Sequence, residues 1–402
     1  MELFLWEHKR LWKRRSTRIS VCLCLIYVVV FGCILSYQCF TFGSSTGNGS
    51  FGNRFDGYTT IRACQQYAEK FGGALTDETL QEMVRDYQAI LARDGRIEIT
   101  RADWSKVSSW VSQLYPELRN PEDYRLPIDY LDPQALTGFY ERRQKALEDF
   151  LEINNQRGAE REYLLKMEEK VKQPFRYQWT EGWNVVLGSN LPDLGMVLTL
   201  FLTIALAPVF AGEWHNRTAP LILTTKNGWR KAAGAKICSG LALALEVFAL
   251  ILVGNVGSQL IFLGTQGWDM PIQMIKIIAV APLNMLQAEI FGYAFVFLGV
   301  IGFAGLMMLF SSCVKSNSVA LILGLSVVYI PMMLSEYLPF WAQKALDLLP
   351  LVGSTADVFR TTTFCIFGKY IWFPYLLITV PVLIGVICMP FAVKRWARKM
   401  RR

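Results

Sequence analysis

The chain has 402 residues, of which 52% are hydrophobic and 18% are charged, and its formal net charge is +8. This composition is too apolar for a water-soluble protein of this length, so it indicates an integral membrane protein. The only histidines, His8 and His215, lie in polar segments, which excludes a histidine-based metal or acid–base centre within the apolar stretches.

Six stretches are apolar over about 20 residues, the length that crosses a bilayer core of roughly 30 Å. The sequence therefore predicts a mainly α, polytopic six-helix transmembrane bundle. The predicted spans are residues 19–42, 191–212, 237–263, 283–310, 318–338 and 370–393.

Residues 1–18 precede the first span and combine apolar and basic side chains. Leu3, Phe4, Leu5, Leu11 and Trp12 alternate with Lys9, Arg10, Lys13 and Arg14. This pattern is typical of a helix that lies along a membrane surface. The following span is too long for a signal-peptide core and has no A-x-A-like cleavage site, so we predict a retained anchor.

The distribution of Lys and Arg over the short connections predicts the orientation. One side carries 18 of these residues, in 1–18, 213–236, 315 and 394–402, and the other side carries 4. Both termini are therefore expected in the cytoplasm of a multi-pass cell-membrane protein. The net positive charge is explained by this topology and by contact with anionic lipid, and no nucleic-acid module is visible.

Residues 43–190 are then expected to form a mainly helical extracellular domain. A Gly- and Ser-rich linker at 43–53 opens it, and helices are predicted from Thr76 to Gly95, across Trp104 to Leu114, and over 137–172 with a break at 154–158. The aromatic-rich stretch 173–183 predicts a belt at the headgroup level, with a ligand surface as the alternative.

The nine cysteines predict neither a disulfide scaffold nor a metal site. Most lie in or beside the spans. Only Cys64 and Cys365 fall in outer segments, and a single disulfide between these two remains an alternative.

The connection 213–236 between spans two and three interrupts its polar residues with a small apolar cluster. Thr218 and Pro220 predict the start of a short helix that ends before Asn227-Gly228. Two helical turns are not stable alone in water. Leu221, Ile222 and Leu223 therefore form the expected contact face; these three residues lie within the sequence APLILTTKNG.

This connection resembles that of the permease subunit of ABC-2 type transporters. The resemblance rests on Glu213 at the end of span two, the Thr-led short helix 218–225, the basic residues Lys226, Arg230 and Lys231, and Lys236 entering span three. It extends to the six spans, the N-terminal segment, SSCVKSN between spans four and five, and LLPLVGSTADVFR before span six. It covers the membrane part, while residues 43–190 are an insertion like those in some Gram-positive members.

The resemblance implies that residues 213–236 contain a coupling helix that docks on a separate ATPase subunit. The implied coupling residues are Glu213, Arg217, Thr218, Leu221, Ile222 and Leu223. The chain has no phosphate-binding G-x-x-x-x-G-K-[ST] sequence, so ATP-Mg is expected on the partner ATPase and no cofactor in this chain. A second permease copy or paralogue would complete a pathway that exports a peptide, antibiotic, lipid-like compound or ion.

Polar residues within the spans have two interpretations. Glu246 and Asn255 lie either on a substrate route or in hydrogen bonds between helices, because an ionised carboxylate in the bilayer is costly. Glu289 and Glu336 are expected to reach the interface. A receptor or sensor with a ligand-binding outer domain is the alternative function, and a membrane enzyme is disfavoured because the required catalytic constellations are missing.

Overall fold

The computed structural model describes residues 2–35, 57–94, 104–120, 126–224, 230–353, 359 and 361–398. The predicted linker at 43–53, the helix stop at Gly95 and the Asn227-Gly228 pair lie outside these described residues. The side chains of Cys64, Leu223 and Glu336 are also outside the description.

Helices account for most of the described chain. They are α1 Glu2–Lys13, α2 Arg15–Tyr27, α3 Gly57–Lys70, α4 Asp77–Asp94, α5 Trp104–Leu114, α6 Pro127–Tyr130, α7 Phe139–Ile153, α8 Ala159–Glu168, α9 Glu181–Asn184, α10 Leu191–Leu206, α11 Ala211–His215, α12 Ala219–Thr224, α13 Lys231–Ser258, α14 Met285–Cys313, α15 Asn317–Leu334, α16 Phe340–Asp347 and α17 Phe373–Arg398. Wider π-helical turns continue α2 over Val28–Leu35, precede α10 over Val185–Asn190 and follow α13 over Gln259–Leu263.

Four short strands form two antiparallel pairs. Strand β1, Gly73–Ala74, pairs with β2, Arg176–Tyr177, and strand β3, Thr363–Ile366, pairs with β4, Lys369–Trp372. The first pair joins the two ends of the insertion.

Six described helices are long and apolar enough to cross a membrane, as the sequence predicts. They cover Arg15–Gly32, Leu191–His215, Lys231–Leu263, Met285–Cys313, Asn317–Leu334 and Phe373–Arg398. Several run past the predicted apolar limits, because backbone hydrogen bonds continue a helix into polar sequence. The last span begins later than predicted because β4 occupies its expected start.

Helices α14 and α17 approach each other closely through glycines. A Cβ atom on Gly302 would lie 2.3 Å from the carbonyl oxygen of Pro381, and one on Gly305 would lie 2.5 Å from that of Gly385. Small residues at such crossings allow two membrane helices to pack backbone against backbone.

The insertion has the helices that its sequence predicts. Helix α4 follows Thr76, whose hydroxyl accepts a hydrogen bond from the Thr79 amide at 3.3 Å. Helices α7 and α8 are separated at the predicted break. Trp110 and Phe139 pack edge to face in its core at a centroid distance of 6.1 Å.

Buried polar contacts fasten the insertion to the rest of the chain. Arg143 on α7 is fully buried and pairs with Glu168 on α8. Its Nε donates to the carbonyl oxygen of Ile277 at 2.7 Å, and its Nη2 donates to that of Ala279 at 3.3 Å. The segment between α13 and α14 is therefore held directly against the insertion. We call the end of the bundle formed by residues 259–284 and 361–372 the insertion end.

Candidate functional site

A buried carboxylate joins several elements at the opposite end of the bundle. The Glu213 side chain, on α11, is 4% exposed. Its Oε1 accepts hydrogen bonds from Arg10, from Arg14 Nη2 at 3.0 Å and from Lys236 Nζ at 2.9 Å. Its Oε2 accepts from the Thr218 hydroxyl at 2.6 Å. One carboxylate thus connects α1, the α1–α2 junction, the start of α13 and the segment before α12.

A second acid, Glu7 on α1, completes this cluster. It lies 3.1 Å from Lys236 Nζ and 3.0 Å from Arg10 Nη2. Glu7, Glu213 and Lys236 are each at most 3% exposed. Burying charges is costly unless opposite charges and hydrogen bonds compensate for the lost water. Here three cations surround two carboxylates, and we call these five residues and Thr218 the Glu213 cluster.

Arg14 occupies the break between α1 and α2. Its backbone is extended, with φ −69° and ψ 140°, so α1 turns away from the first span. The guanidinium also donates to the carbonyl oxygen of Pro208. Burial lowers the pKa of the Arg14 guanidinium, and the nearby Glu213 carboxylate opposes this change. An arginine side chain keeps its charge in proteins, so Arg14 is a cation here.

The chain turns back on itself just after Glu213. Arg217 has a positive φ of 58°, in the left-handed region that few non-glycine residues adopt. This turn places the Thr218 amide 2.9 Å from the Glu213 carbonyl oxygen. The Thr218 hydroxyl donates to Glu213 and so fastens α12 to the cluster. Arg217 itself is exposed, and the ion pairs that the structure describes for Glu213 are made by other cations.

The short helix α12 exposes part of its predicted contact face. Leu221 is 71% exposed, whereas Ala219 is fully buried and Ile222 is half-buried against the core. The side chain of Leu223 lies outside the described residues. A short helix with one buried face and one exposed leucine is held against its own protein by the buried face. Its exposed leucine can then contact a partner.

The N-terminal helix α1 packs along α13 and supplies the partners of the Glu246 carboxylate. Glu246 Oε1 lies 3.0 Å from His8 Nε2, and its Oε2 accepts from Trp12 Nε1 at 3.0 Å. With its side chain 43% exposed, Glu246 is oriented towards α1 and not towards the bundle interior. Leu5 and Trp6 on α1 are more than half exposed; that this helix lies along a membrane surface stays a prediction.

Other elements meet at the same end. Ser311 at the end of α14 accepts from the amides of Phe210 and Ala211, each at 3.0 Å. Trp396 near the end of α17 packs edge to face on Trp214. These contacts bring the described parts of the connections 207–236 and 311–317 together with α1 and the end of α17. We call this end of the bundle the basic end.

Asn255 on α13 is distant from the Glu213 cluster along the helix. It is 1% exposed and lies near Tyr293 on α14, but among the described residues neither its amide nitrogen nor the Tyr293 hydroxyl has a hydrogen-bond partner. Both interpretations of Asn255, a substrate route and a hydrogen bond between helices, therefore stay predictions. Glu289 on the same helix as Tyr293 is 6% exposed, so the prediction that it reaches the interface is wrong; it points towards Gln259.

The predicted aromatic belt at 173–183 is also wrong. Phe175, Tyr177, Trp179 and Trp183 are each at most 4% exposed. The Trp179 and Trp183 indoles donate to the carbonyl oxygens of Leu263 and Gln266, at 3.1 and 2.8 Å. Trp179 and Trp183 thus form the joint between the insertion and the segment after α13, whereas the rings of Phe175 and Tyr177 pack on Tyr140 and Trp110 within the insertion. The sequence pattern did not reveal this joint.

A groove of about 660 Å³ lies beside this joint. Arg176, Glu69 and Asp269 are its charged residues, and Trp268 is a half-exposed aromatic residue in its wall. Among the described residues, no group of three or more His, Cys, Asp or Glu side chains is placed to hold a metal ion.

No protein-family model, no curated protein and no solved structure matches this chain. The sequence singled out Glu213 and Lys236, but not their joint burial with Glu7, Arg10 and Arg14.

Proposed function

We propose that the chain is the membrane-spanning permease subunit of an ATP-binding cassette transporter. The observation that carries the proposal is the Glu213 cluster. It connects the short helix α12, with its exposed Leu221, to α1, α2, α11 and α13 through charged hydrogen bonds.

In this proposal α12 docks in a groove on a separate ATPase subunit. ATP-Mg is bound and hydrolysed there, and the resulting movement displaces α12. Thr218 transmits the displacement to Glu213, and the buried ion pairs pass it on to the helices that they join. Charge-assisted hydrogen bonds resist separation more than neutral ones do, so the attached elements would move as a rigid unit.

A second permease, either another copy or a paralogue, would complete the transport pathway. The basic end would face the cytoplasm, with both termini there, and the insertion would be extracellular. The bias of Lys and Arg towards the basic end supports this orientation. The cargo class stays a peptide, an antibiotic, a lipid-like compound or an ion.

Copurification tests the proposal. The tagged chain is isolated in mild detergent from its native cells, and bound P-loop ATPases are identified by mass spectrometry. Leu221→Glu should reduce the recovered ATPase at least about tenfold, because a charge would be buried at the docking face. Ile153→Glu is the matched control, since Ile153 is 78% exposed on the insertion; this variant should retain the ATPase.

The proposal fails if the unchanged chain recovers no P-loop ATPase. It also fails if Leu221→Glu recovers as much as Ile153→Glu does. Either result would favour the alternative function, a receptor or sensor. The groove lined by Arg176 and Trp268 is the observation that supports that alternative, because it could bind a ligand at the base of the insertion.

A further inference from the structure

Glu289 is a buried carboxyl group at the insertion end of α14. Its neighbour across the helix contact is Gln259, which is 3% exposed. With the Gln259 amide nitrogen turned towards Glu289, it lies 3.1 Å from Oε1 and 3.2 Å from Oε2. No Lys, Arg or His in the described part of the chain forms an ion pair with this carboxyl group.

The residues around Glu289 are polar but uncharged. Asn255 precedes Gln259 by one turn, and Tyr293 follows Glu289 by one turn, so the two pairs face each other across α13 and α14. All four side chains are at most 7% exposed. These four side chains are therefore shielded from bulk water by the surrounding helices.

Ionisable groups on the elements packed around this cluster do not neutralise Glu289. Tyr27 on α2 is a neutral phenol, and Asp193 on α10 is an exposed acid. Lys106 is a buried cation at this end, but it lies 3.5 Å from Glu181 and donates to Thr180 at 2.6 Å. Glu289 is the fifth residue of α14, beyond the first turn in which the helix dipole stabilises an anion.

The contrast with Glu213 indicates the state of this carboxyl group. Three cations compensate the buried Glu213 carboxylate, whereas Glu289 has a neutral amide. A buried, unpaired carboxylate is costly, and such a group ordinarily takes up a proton instead. The Gln259 amide suits either state, because its carbonyl oxygen accepts from a carboxylic acid and its nitrogen donates to a carboxylate.

We propose that Glu289 is a proton-binding site of the helix bundle. Its carboxyl oxygen holds the proton while the insertion ends of α13 and α14 are packed together. When these ends separate and water enters, the O–H bond breaks and the proton passes to water at that end. This site stands independently of the ATPase proposal.

Infrared spectroscopy of the full-length protein in lipid nanodiscs tests the protonation state. At neutral pH the carboxylic-acid C=O band should be present, shift in D2O, and lose intensity in Glu289→Gln. The Gln side chain keeps the shape and hydrogen-bonding capacity of a protonated glutamate, so this variant should fold. Glu162→Gln, on an exposed α8 pair, is the matched control and should leave the band unchanged. Equal bands in wild type and Glu289→Gln would overturn the proposal.

The pH dependence of unfolding is the second measurement. A folded protein that holds a proton which the unfolded chain releases above about pH 4.3 becomes less stable as pH rises. Over the pH range in which the unfolded chain has released this proton and the folded protein still holds it, the unfolding equilibrium constant of the wild type should therefore rise by up to about tenfold per pH unit. Glu289→Gln should show a flatter profile, and Glu289→Leu serves in its place if the amide variant does not fold.

Sodium provides the remaining comparison. The titration is repeated in sodium chloride and in choline chloride at equal ionic strength. Identical curves support a proton site. Stabilisation by sodium at high pH that disappears in Glu289→Gln would assign the site to a metal cation and overturn the proposal, as would identical pH profiles of the wild type and both variants.

Discussion

The Glu213 carboxylate at the end of the second candidate span lies 2.9 Å from the Lys236 ammonium at the start of the third. Both side chains are at most 4% exposed. A buried ion pair within the Glu213 cluster therefore joins the end of the second candidate span to the start of the third. These two ends cannot move apart without exposing or separating these charges.

Glu213→Gln should destabilise the protein strongly. Removing one partner of a buried ion pair costs about 3–5 kcal/mol, because the remaining charges stay buried without compensation. The measurement is thermal unfolding of the purified protein in detergent. Glu162→Gln breaks an exposed pair with Lys166 and should leave the melting temperature nearly unchanged, because exposed ion pairs contribute little to stability. Similar effects of the two substitutions would contradict the burial of Glu213.

Arg143→Lys should loosen the insertion from the bundle. The guanidinium bonds at once to Glu168 and to the carbonyl oxygens of Ile277 and Ala279, and a lysine ammonium cannot reproduce this planar set. We expect a loss of about 2 kcal/mol or more, with faster proteolysis between α13 and α14. Arg161→Lys, in a half-exposed pair with Glu148, is the control. An unchanged proteolysis rate in Arg143→Lys would show that this contact does not hold the segment.

Gly305→Val should disrupt the contact between α14 and α17. Its Cβ atom would lie 2.5 Å from the Gly385 carbonyl oxygen, which is backbone and cannot rotate away. Overpacking of this kind costs about 1–3 kcal/mol, read as a lower melting temperature in detergent. Gly257→Ala on α13 is the control, because nothing lies within 4 Å of its added Cβ atom. The contact would be refuted if Gly305→Val melted no lower than Gly257→Ala.

Cysteine labelling tests the proposed orientation. Cys365 at the insertion end and Cys313 at the basic end are both exposed free thiols. In single-cysteine variants on intact cells, a membrane-impermeant maleimide should label Cys365 at once, and Cys313 only after permeabilisation. Cys24 is fully buried and should resist labelling in both conditions. The reverse pattern for Cys365 and Cys313 would invert the topology.

Much of the helical framework follows from local sequence. Spans are recognised because about 20 apolar residues match the bilayer core. The break between α7 and α8 follows from the polar run ending in Gly158, which the two flanking helices do not enter. These features depend on neighbours along the chain, so a sequence is enough to predict them.

The aromatic residues at 173–183 show where local reasoning failed. Amphipathic rings beside a span suit a membrane interface as well as a protein interior, and composition alone does not distinguish them. Trp179 is buried because the segment after α13 covers it and accepts its indole hydrogen bond. Leu263, which accepts this hydrogen bond, lies 84 positions further along the chain.

The sequence by itself determined that this is a helical membrane protein with one strongly basic side and a short helix beside Glu213. Only the tertiary structure decided which charges meet. Arg10 lies 203 residues before Glu213, and Glu246 is satisfied by α1 while Glu289 is left with a neutral amide. The physical reason is that hydrophobic length and charge are properties of a segment, whereas compensation of a buried charge depends on which helices pack together.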